Sequence, residues 1–290
     1  MHQSAVLKVN TVVFVNWLPA LLTTAETVIV GVIQGILEWL PVSSEGNLSI
    51  LLVTFLGVSP HIAIGLTVFL HIGTGVAALL YYRAQVVDIL LSSTVEIGLF
   101  RLRLVVITVI TGLVGLPIFL LLNVSIVYGE TFLAVTGVAL ILTGLLQRNR
   151  DRASFRDYES LSWGETIILG VVQGFSIIPG LSRSGVTTSM LLFRGFSGKE
   201  SFRISFLMSI PASFAAGFGL FLVERFDVTA QAFLALVISA VIGVLTIGVL
   251  VRVSERVTFW KLCIVLGILV IIFFIPNIPI LHAIQSIFFE

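Results

Sequence analysis

Charge and cysteine are both scarce in this chain: 11% of its residues are charged, and Cys263 is its one cysteine. A lone thiol within one chain excludes an internal disulfide framework and any metal site built from several cysteines. Set in an apolar run, Cys263 reads as a small buried or lipid-facing hydrophobe. The formal net charge is +1, and Lys and Arg fall mainly in short stretches between apolar runs. That distribution provides no basic stripe for a nucleic acid. The N-terminal stretch carries Lys8 but no small-residue cleavage site after it, so it reads as retained.

What is abundant is apolar surface, with 58% hydrophobic residues and a mean hydropathy of +1.15. Usage this far from that of soluble domains identifies lipid as the solvent. Six segments approach the roughly 20 residues needed to cross about 30 Å of hydrocarbon. They run from about Ile62 to Tyr82, Leu104 to Leu122, Phe132 to Leu146, Ile204 to Val223, Ala230 to Val251 and Leu262 to Ile275. Two more apolar regions, Leu18 to Val58 and Ile167 to Phe193, are each broken midway by a polar stretch containing Pro and Gly.

The two broken regions resemble each other. GVIQGILEWLPVSSEG begins at Gly31 and GVVQGFSIIPGLSRSG at Gly170, so that Gly31, Gln34, Gly35 and Gly46 recur at one offset as Gly170, Gln173, Gly174 and Gly185. Three spans follow each copy. If each broken region is a re-entrant helix pair, three crossings separate the copies and the second faces the opposite way, an inverted-topology repeat. The fold class expected is therefore an all-α polytopic membrane protein with about six full spans and two re-entrant pairs. The first repeat covers 1–147, a charged connecting loop 148–163 and the second repeat 164–290. The loops around Arg83 to Arg103, Arg148 to Arg156, Arg194 to Arg203 and Arg252 to Lys261 then share one side, as cytoplasmic loops should. The opposite side holds Arg225 and the stretches Asn123 to Glu130 and Pro276 to Pro279.

Non-helical backbone at membrane depth is stable only where protein or a wet cavity satisfies its peptide groups, so both turns must line something. Pro41 and Pro179 end the helices that lead into the turns, and Gly46, Gly180 and Gly185 admit angles that other residues resist. Amides beside Ser43, Ser44, Ser182 and Ser184 are candidates for an anion-binding nest. Gln34 and Glu38 lie four apart and share a helix face. Glu38 and Arg183 are charges within apolar runs, where charge is expensive and usually functional. The forked guanidinium of Arg183 suits phosphate oxygens, and an ion pair with Glu38 is its structural alternative. Glu26 flanks the site or faces water at its mouth, and Glu45 is a second metal or substrate contact or an exposed turn acid. His2, His61, His71 and His282 have no motif context.

QGILEWLPVSSEGN together with PGLSRSGVT resembles the BacA, or UppP, family of undecaprenyl-diphosphate phosphatases, marked by an (E/Q)xxxE helix leading into a PVSS turn and by a PGxSRSGxT turn. The resemblance extends over nearly the whole chain. It implies two inverted repeats meeting at a central site, commonly in a homodimer in the cell membrane. It also implies hydrolysis of a polyprenyl diphosphate to the monophosphate and inorganic phosphate, which recycles the lipid carrier for envelope glycans. Catalytic roles fall to Glu38, Ser44 and Arg183, and substrate binding to Gln34, Ser43, Gly46, Asn47, Ser182, Ser184, Gly185 and Thr187. Glu38 is the expected ligand of a divalent cation, Mg²⁺ or Ca²⁺, because a carboxylate beside a diphosphate repels it otherwise. The nucleophile is Ser44 or water. One departure matters: the histidine usual after the first turn is Asn47 here, which removes a proton carrier. That departure leaves two rivals open, a polyprenyl-phosphate flippase or transporter and an inactive lipid-binding relative.

Overall fold

Thr23 and Glu26 start the first helix by reciprocal capping: the Thr23 hydroxyl accepts from the Glu26 amide, and the Glu26 carboxylate accepts from the Thr23 amide. Ser162 and Glu165 repeat the arrangement at the helix that opens the second broken region. Glu26 is therefore a capping residue. The computed structural model describes residues 22–125, 129–148, 156–224, 228–257 and 259–274. The expectations placed on Lys8, His2, Arg150, Arg152, Arg225, Pro276 to Pro279 and His282 lie outside them.

Within the described residues the chain is α-helical throughout, with short 3₁₀ and π turns and one isolated bridge between Arg156 and Phe196. The first broken region is α1 (Thr24–Leu37), a turn, and α2 (Ser44–Ile50), followed by a π-helical turn at Leu51–Phe55. Then come α3 (Pro60–Tyr81), α4 (Arg83–Leu91), α5 (Val95–Ser125) and α6 (Gly129–Gln147). The second broken region is α7 (Trp163–Phe175), a turn, and α8 (Arg183–Phe193), and α9 (Gly198–Glu224), α10 (Ala230–Arg256) and α11 (Trp260–Phe274) follow. Four helices, α3, α5, α9 and α10, are long and apolar enough to cross a bilayer, while the described apolar parts of α6 and α11 are shorter. The chain is a multi-pass, all-α membrane protein.

One difference from the expected elements has a physical cause. The stretch containing Arg101 and Arg103 is the first part of α5 and not a loop, and α4 precedes it. The Arg101 guanidinium donates to the Ile89 and Leu90 carbonyls at 3.1 and 2.9 Å, so it closes the end of α4 from a neighbouring helix. Pro117 and Pro211 lie inside α5 and α9.

Glycines set the packing. A Cβ on Gly31 or Gly35 of α1 would lie 2.7 to 3.0 Å from Ala235, Ile238, Ser239, Ile242 and Gly243 of α10. A Cβ on Gly170 or Gly174 of α7 would lie 2.6 to 3.1 Å from Ile107, Ile110, Thr111 and Val114 of α5. Close backbone approach through small residues is how helices associate in lipid. Hydroxyls reinforce each seam: Thr246 donates to the Gly35 carbonyl at 3.1 Å and Thr111 to the Gly170 carbonyl at 3.2 Å. Helices α3 and α9 pack together, as do α6 and α11.

Candidate active site

The two turns meet. A Cβ on Gly46 would lie 2.6 Å from the Gly180 amide nitrogen, so only a glycine lets the first turn sit on the second. Gly180 itself has φ +96 and a Cβ there would strike the Thr136 carbonyl, which requires glycine twice over. Gln147 of α6 donates to the Pro41 carbonyl at 2.5 Å and lies 2.9 Å from where a Gly185 Cβ would sit, so α6 braces both turns. Thr143, also on α6, donates to the Gly180 carbonyl and accepts from the Ser182 amide, each at 3.1 Å.

Each turn opens its second helix with a serine cap. Ser43 accepts from the Gly46 amide at 3.2 Å, and Ser182 from the Gly185 amide at 3.1 Å. These bonds consume two of the amides that an anion nest requires. Ser43 is held at φ +62, the one positive φ of a non-glycine residue among those described, a conformation that costs about 1 kcal/mol and concentrates at functional sites. Asn47 fixes that conformation, because its Nδ2 donates to the Val42 carbonyl at 2.6 Å and to the Ser43 carbonyl at 2.9 Å.

The C-cap of α1 is Glu38, buried at 5% exposure. Gln34 Nε2 donates to its Oε2 at 3.1 Å, and the Ser44 hydroxyl donates to the same oxygen at 2.8 Å. His71 Nε2 from α3 is 3.4 Å from Oε2, and Arg183 donates to Oε1. Arg183 also donates to Ser213 Oγ at 3.0 Å and approaches the Ser209 carbonyl at 3.5 Å, which holds the guanidinium between α9 and the first turn. His71 Nδ1 lies 2.7 Å from the Thr67 carbonyl; a carbonyl only accepts, so Nδ1 carries a proton.

A cavity of about 600 Å³ opens from this cluster. Glu38, Ser43, Ser44, His71, Ser182, Arg183 and Ser184 line its polar end. Its other arm runs between α5 and α9 past Val109, Gly112, Leu113, Leu116, Ala216 and Gly219. Val109, Leu113 and Leu116 along this arm are 48% to 70% exposed.

Several sequence-predicted contacts stand behind the cavity wall. Gln34 is fully buried and orients Glu38. Gly46 and Gly185 admit the close approach of the turns. Asn47 holds the turn backbone, and the Thr187 hydroxyl bonds the Arg183 carbonyl and Ser205 Oγ at 2.8 and 2.7 Å. None of these five is among the cavity-lining residues, because their polar atoms or their lack of a side chain serve the scaffold. His71 and Ser213 are lining residues without a sequence motif, and Glu45 of the first turn lines the cavity with them. The signal that marks His71 is its ionisable side chain in the middle of an apolar span.

For a divalent cation the donor set is suitable in kind: carboxylates are the hard oxygen ligands that Mg²⁺ and Ca²⁺ take. Glu45 lines the cavity at 8% exposure, and its Oε1 meets no hydrogen-bond donor. Among the described residues no three His, Cys, Asp or Glu side chains form a preformed cage. A cation here would complete its shell with phosphate oxygens and water, the usual habit of Mg²⁺.

Residues 27–269 match the family model described as bacitracin resistance protein BacA. The chain belongs to that family. An undecaprenyl-diphosphatase of Haloarcula marismortui is 40% identical over 255 residues, covering 83% of this chain and 93% of the relative. The undecaprenyl-diphosphatase of Methanococcoides burtonii is 38% identical, with 86% and 97% covered, and that of Saccharolobus solfataricus 33% identical, with 84% and 93% covered. The family match takes in both turns, so the BacA pattern and the cavity coincide.

Proposed function

We propose that this BacA-family protein hydrolyses a long-chain polyprenyl diphosphate, of the undecaprenyl type, to the monophosphate and inorganic phosphate. The observation that carries the reading is the cavity itself: it gathers Glu38, Ser44 and Arg183 and is otherwise lined largely by apolar residues of α5 and α9. The relatives named as undecaprenyl-diphosphatases support it. A diphosphate head fits the polar end and an isoprenoid tail the apolar arm.

Arg183 binds and neutralises phosphate oxygens, assisted by the hydroxyls of Ser43, Ser182, Ser184 and Ser213. Ser44 already donates to Glu38, which Gln34 orients; this is the nucleophile, base and positioning residue of covalent catalysis. In this reading Glu38 takes the Ser44 proton as Ser44 Oγ bonds the terminal phosphorus. The bond from that phosphorus to the bridging oxygen breaks, and the lipid monophosphate leaves with the bridging oxygen. Water then cleaves the phosphoserine. A bound Mg²⁺ or Ca²⁺ supplies charge neutralisation at the phosphates, with Glu38 as a protein ligand.

The two halves read as an inverted-topology repeat of 1–147 and 164–290. In support, α1 packs on α10 as α7 packs on α5, through the sequence-matched glycines. The cell membrane and the homodimer implied by the family resemblance belong to the same reading, as does recycling of the lipid carrier.

The test is phosphate release from a polyprenyl diphosphate by purified protein, with and without Mg²⁺. Wild type should release phosphate and Glu38→Gln should lose at least about 10²-fold, the lower end of what a positioned base supplies. If wild type releases none while Glu38→Gln binds the lipid normally, binding or transport replaces hydrolysis.

A further inference from the structure

The catalytic reading above leaves Glu45 without a role, yet burial of an acid needs a compensating partner. Its side chain is more than nine-tenths buried, faces the cavity and has Oε1 without a donor. It borders the same cavity as Glu38 and Arg183 and directly follows Ser44, whose hydroxyl donates to Glu38. Among the cavity-lining residues Arg183 is the one arginine or lysine, against two carboxylates, Glu38 and Glu45. Arg183 is already paired with Glu38, and among the described residues no ion pair reaches Glu45. A diphosphate entering this cavity adds several more negative charges. Like charges in a site of low dielectric repel strongly, and a bound divalent ion is the largest local charge able to reverse that balance.

We infer that Glu45 is a second protein ligand for the divalent cation, supplying its free Oε1 beside Glu38 so that the ion joins the first turn to the substrate diphosphate. This inference rests on the diphosphatase reading for the identity of the substrate, but the ion site itself is testable without turnover. Two carboxylates plus phosphates and water form an oxygen-rich shell that suits Mg²⁺, Mn²⁺ or Ca²⁺ better than Zn²⁺. Glu45 follows Ser44 directly, so the ion would lie beside the hydroxyl that Glu38 accepts from. The residue is on the element whose backbone Ser43 and Asn47 fix.

The experiment measures Mn²⁺ uptake by electron paramagnetic resonance on the full-length protein in nanodiscs, with and without methylenediphosphonate, alongside Mg²⁺ titrations of phosphate release. Even outer-shell partners of a metal are worth about 10 to 100-fold in affinity. Glu45→Gln should therefore weaken Mn²⁺ binding by at least about tenfold and raise the half-saturating Mg²⁺ concentration in parallel, with saturating Mg²⁺ restoring much of the turnover. Glu45→Asp, which keeps the charge on a shorter stem, should fall between the two. Unchanged Mn²⁺ affinity in folded Glu45→Gln or Glu45→Asp overturns the assignment, as does wild type that takes up no Mn²⁺ under either condition. Mn²⁺ binding that depends on Glu45 in a protein that releases no phosphate sustains the ion site and sinks the diphosphatase reading instead.

Discussion

Asn47 occupies the position where the family pattern has a histidine, and its work is on the backbone. Its Nδ2 donates to both the Val42 and Ser43 carbonyls, and Ser43 is the residue at φ +62. A neutral imidazole has one N–H in place of two and a different reach. Asn47→His should therefore lower Tm and turnover together, at a cost of about 1 to 3 kcal/mol for the unmet carbonyls. No new limb should enter the pH–rate profile. A faster Asn47→His enzyme with a limb near the unperturbed histidine pKa of about 6.5 would show that the imidazole takes part in proton transfer there. The neighbouring Glu38 and Arg183 were legible in the sequence because charge inside an apolar run has few explanations. That they meet was an open alternative, and they do, while Arg183 also reaches Ser213. His71 was passed over because its partner, Glu38, lies on another helix, and no local spacing reports a contact of that kind.

Helices and turns were legible because hydropathy, Pro41 and Pro179 mark where a helix must stop, and because cap residues such as Ser43 and Ser182 follow. The start of α5 was not: Arg101 and Arg103 look like loop residues until their long side chains are seen to reach neighbouring carbonyls from a helix. Repeated glycines were legible as a pattern, whereas their purpose needed the seams. Gly31 and Gly170 each face backbone and a β-branched isoleucine at under 3.2 Å from an added Cβ, so neither seam can yield cheaply. Gly31→Ala and Gly170→Ala should each destabilise by about 1 to 3 kcal/mol, the usual cost of overpacking. Gly164→Ala is the comparison on α7 itself, with nothing within 4 Å of its added Cβ. It should leave Tm unchanged or raise it, since alanine favours helix by up to about 1 kcal/mol. Thermal unfolding in one detergent reads all three. Equal Tm for the three variants would show that these seams are loosely packed.

At the scale of the molecule, the polar end and the apolar arm of the cavity ask the protein to recognise a head and a tail at once. The arm passes between α5 and α9, where Gly112 and Gly219 leave room: an added Cβ on either meets nothing within 4 Å. Sequence spacing marked the turns that form the head site but gave no sign of this arm, since its lining consists of ordinary span residues such as Leu113 and Leu116. If the arm carries the isoprenoid tail, bulk placed there should act on long substrates and spare short ones. Gly112→Phe should then raise KM for a long-chain polyprenyl diphosphate by roughly tenfold, about 1.4 kcal/mol. Farnesyl diphosphate, whose tail ends sooner, should change little, and kcat for both should hold because Glu38, Ser44 and Arg183 are untouched. A folding defect would instead reduce turnover of both substrates alike. Equal losses for long and short chains, or none for either, would place the tail elsewhere along the bundle and leave the arm between α5 and α9 without a role in substrate binding.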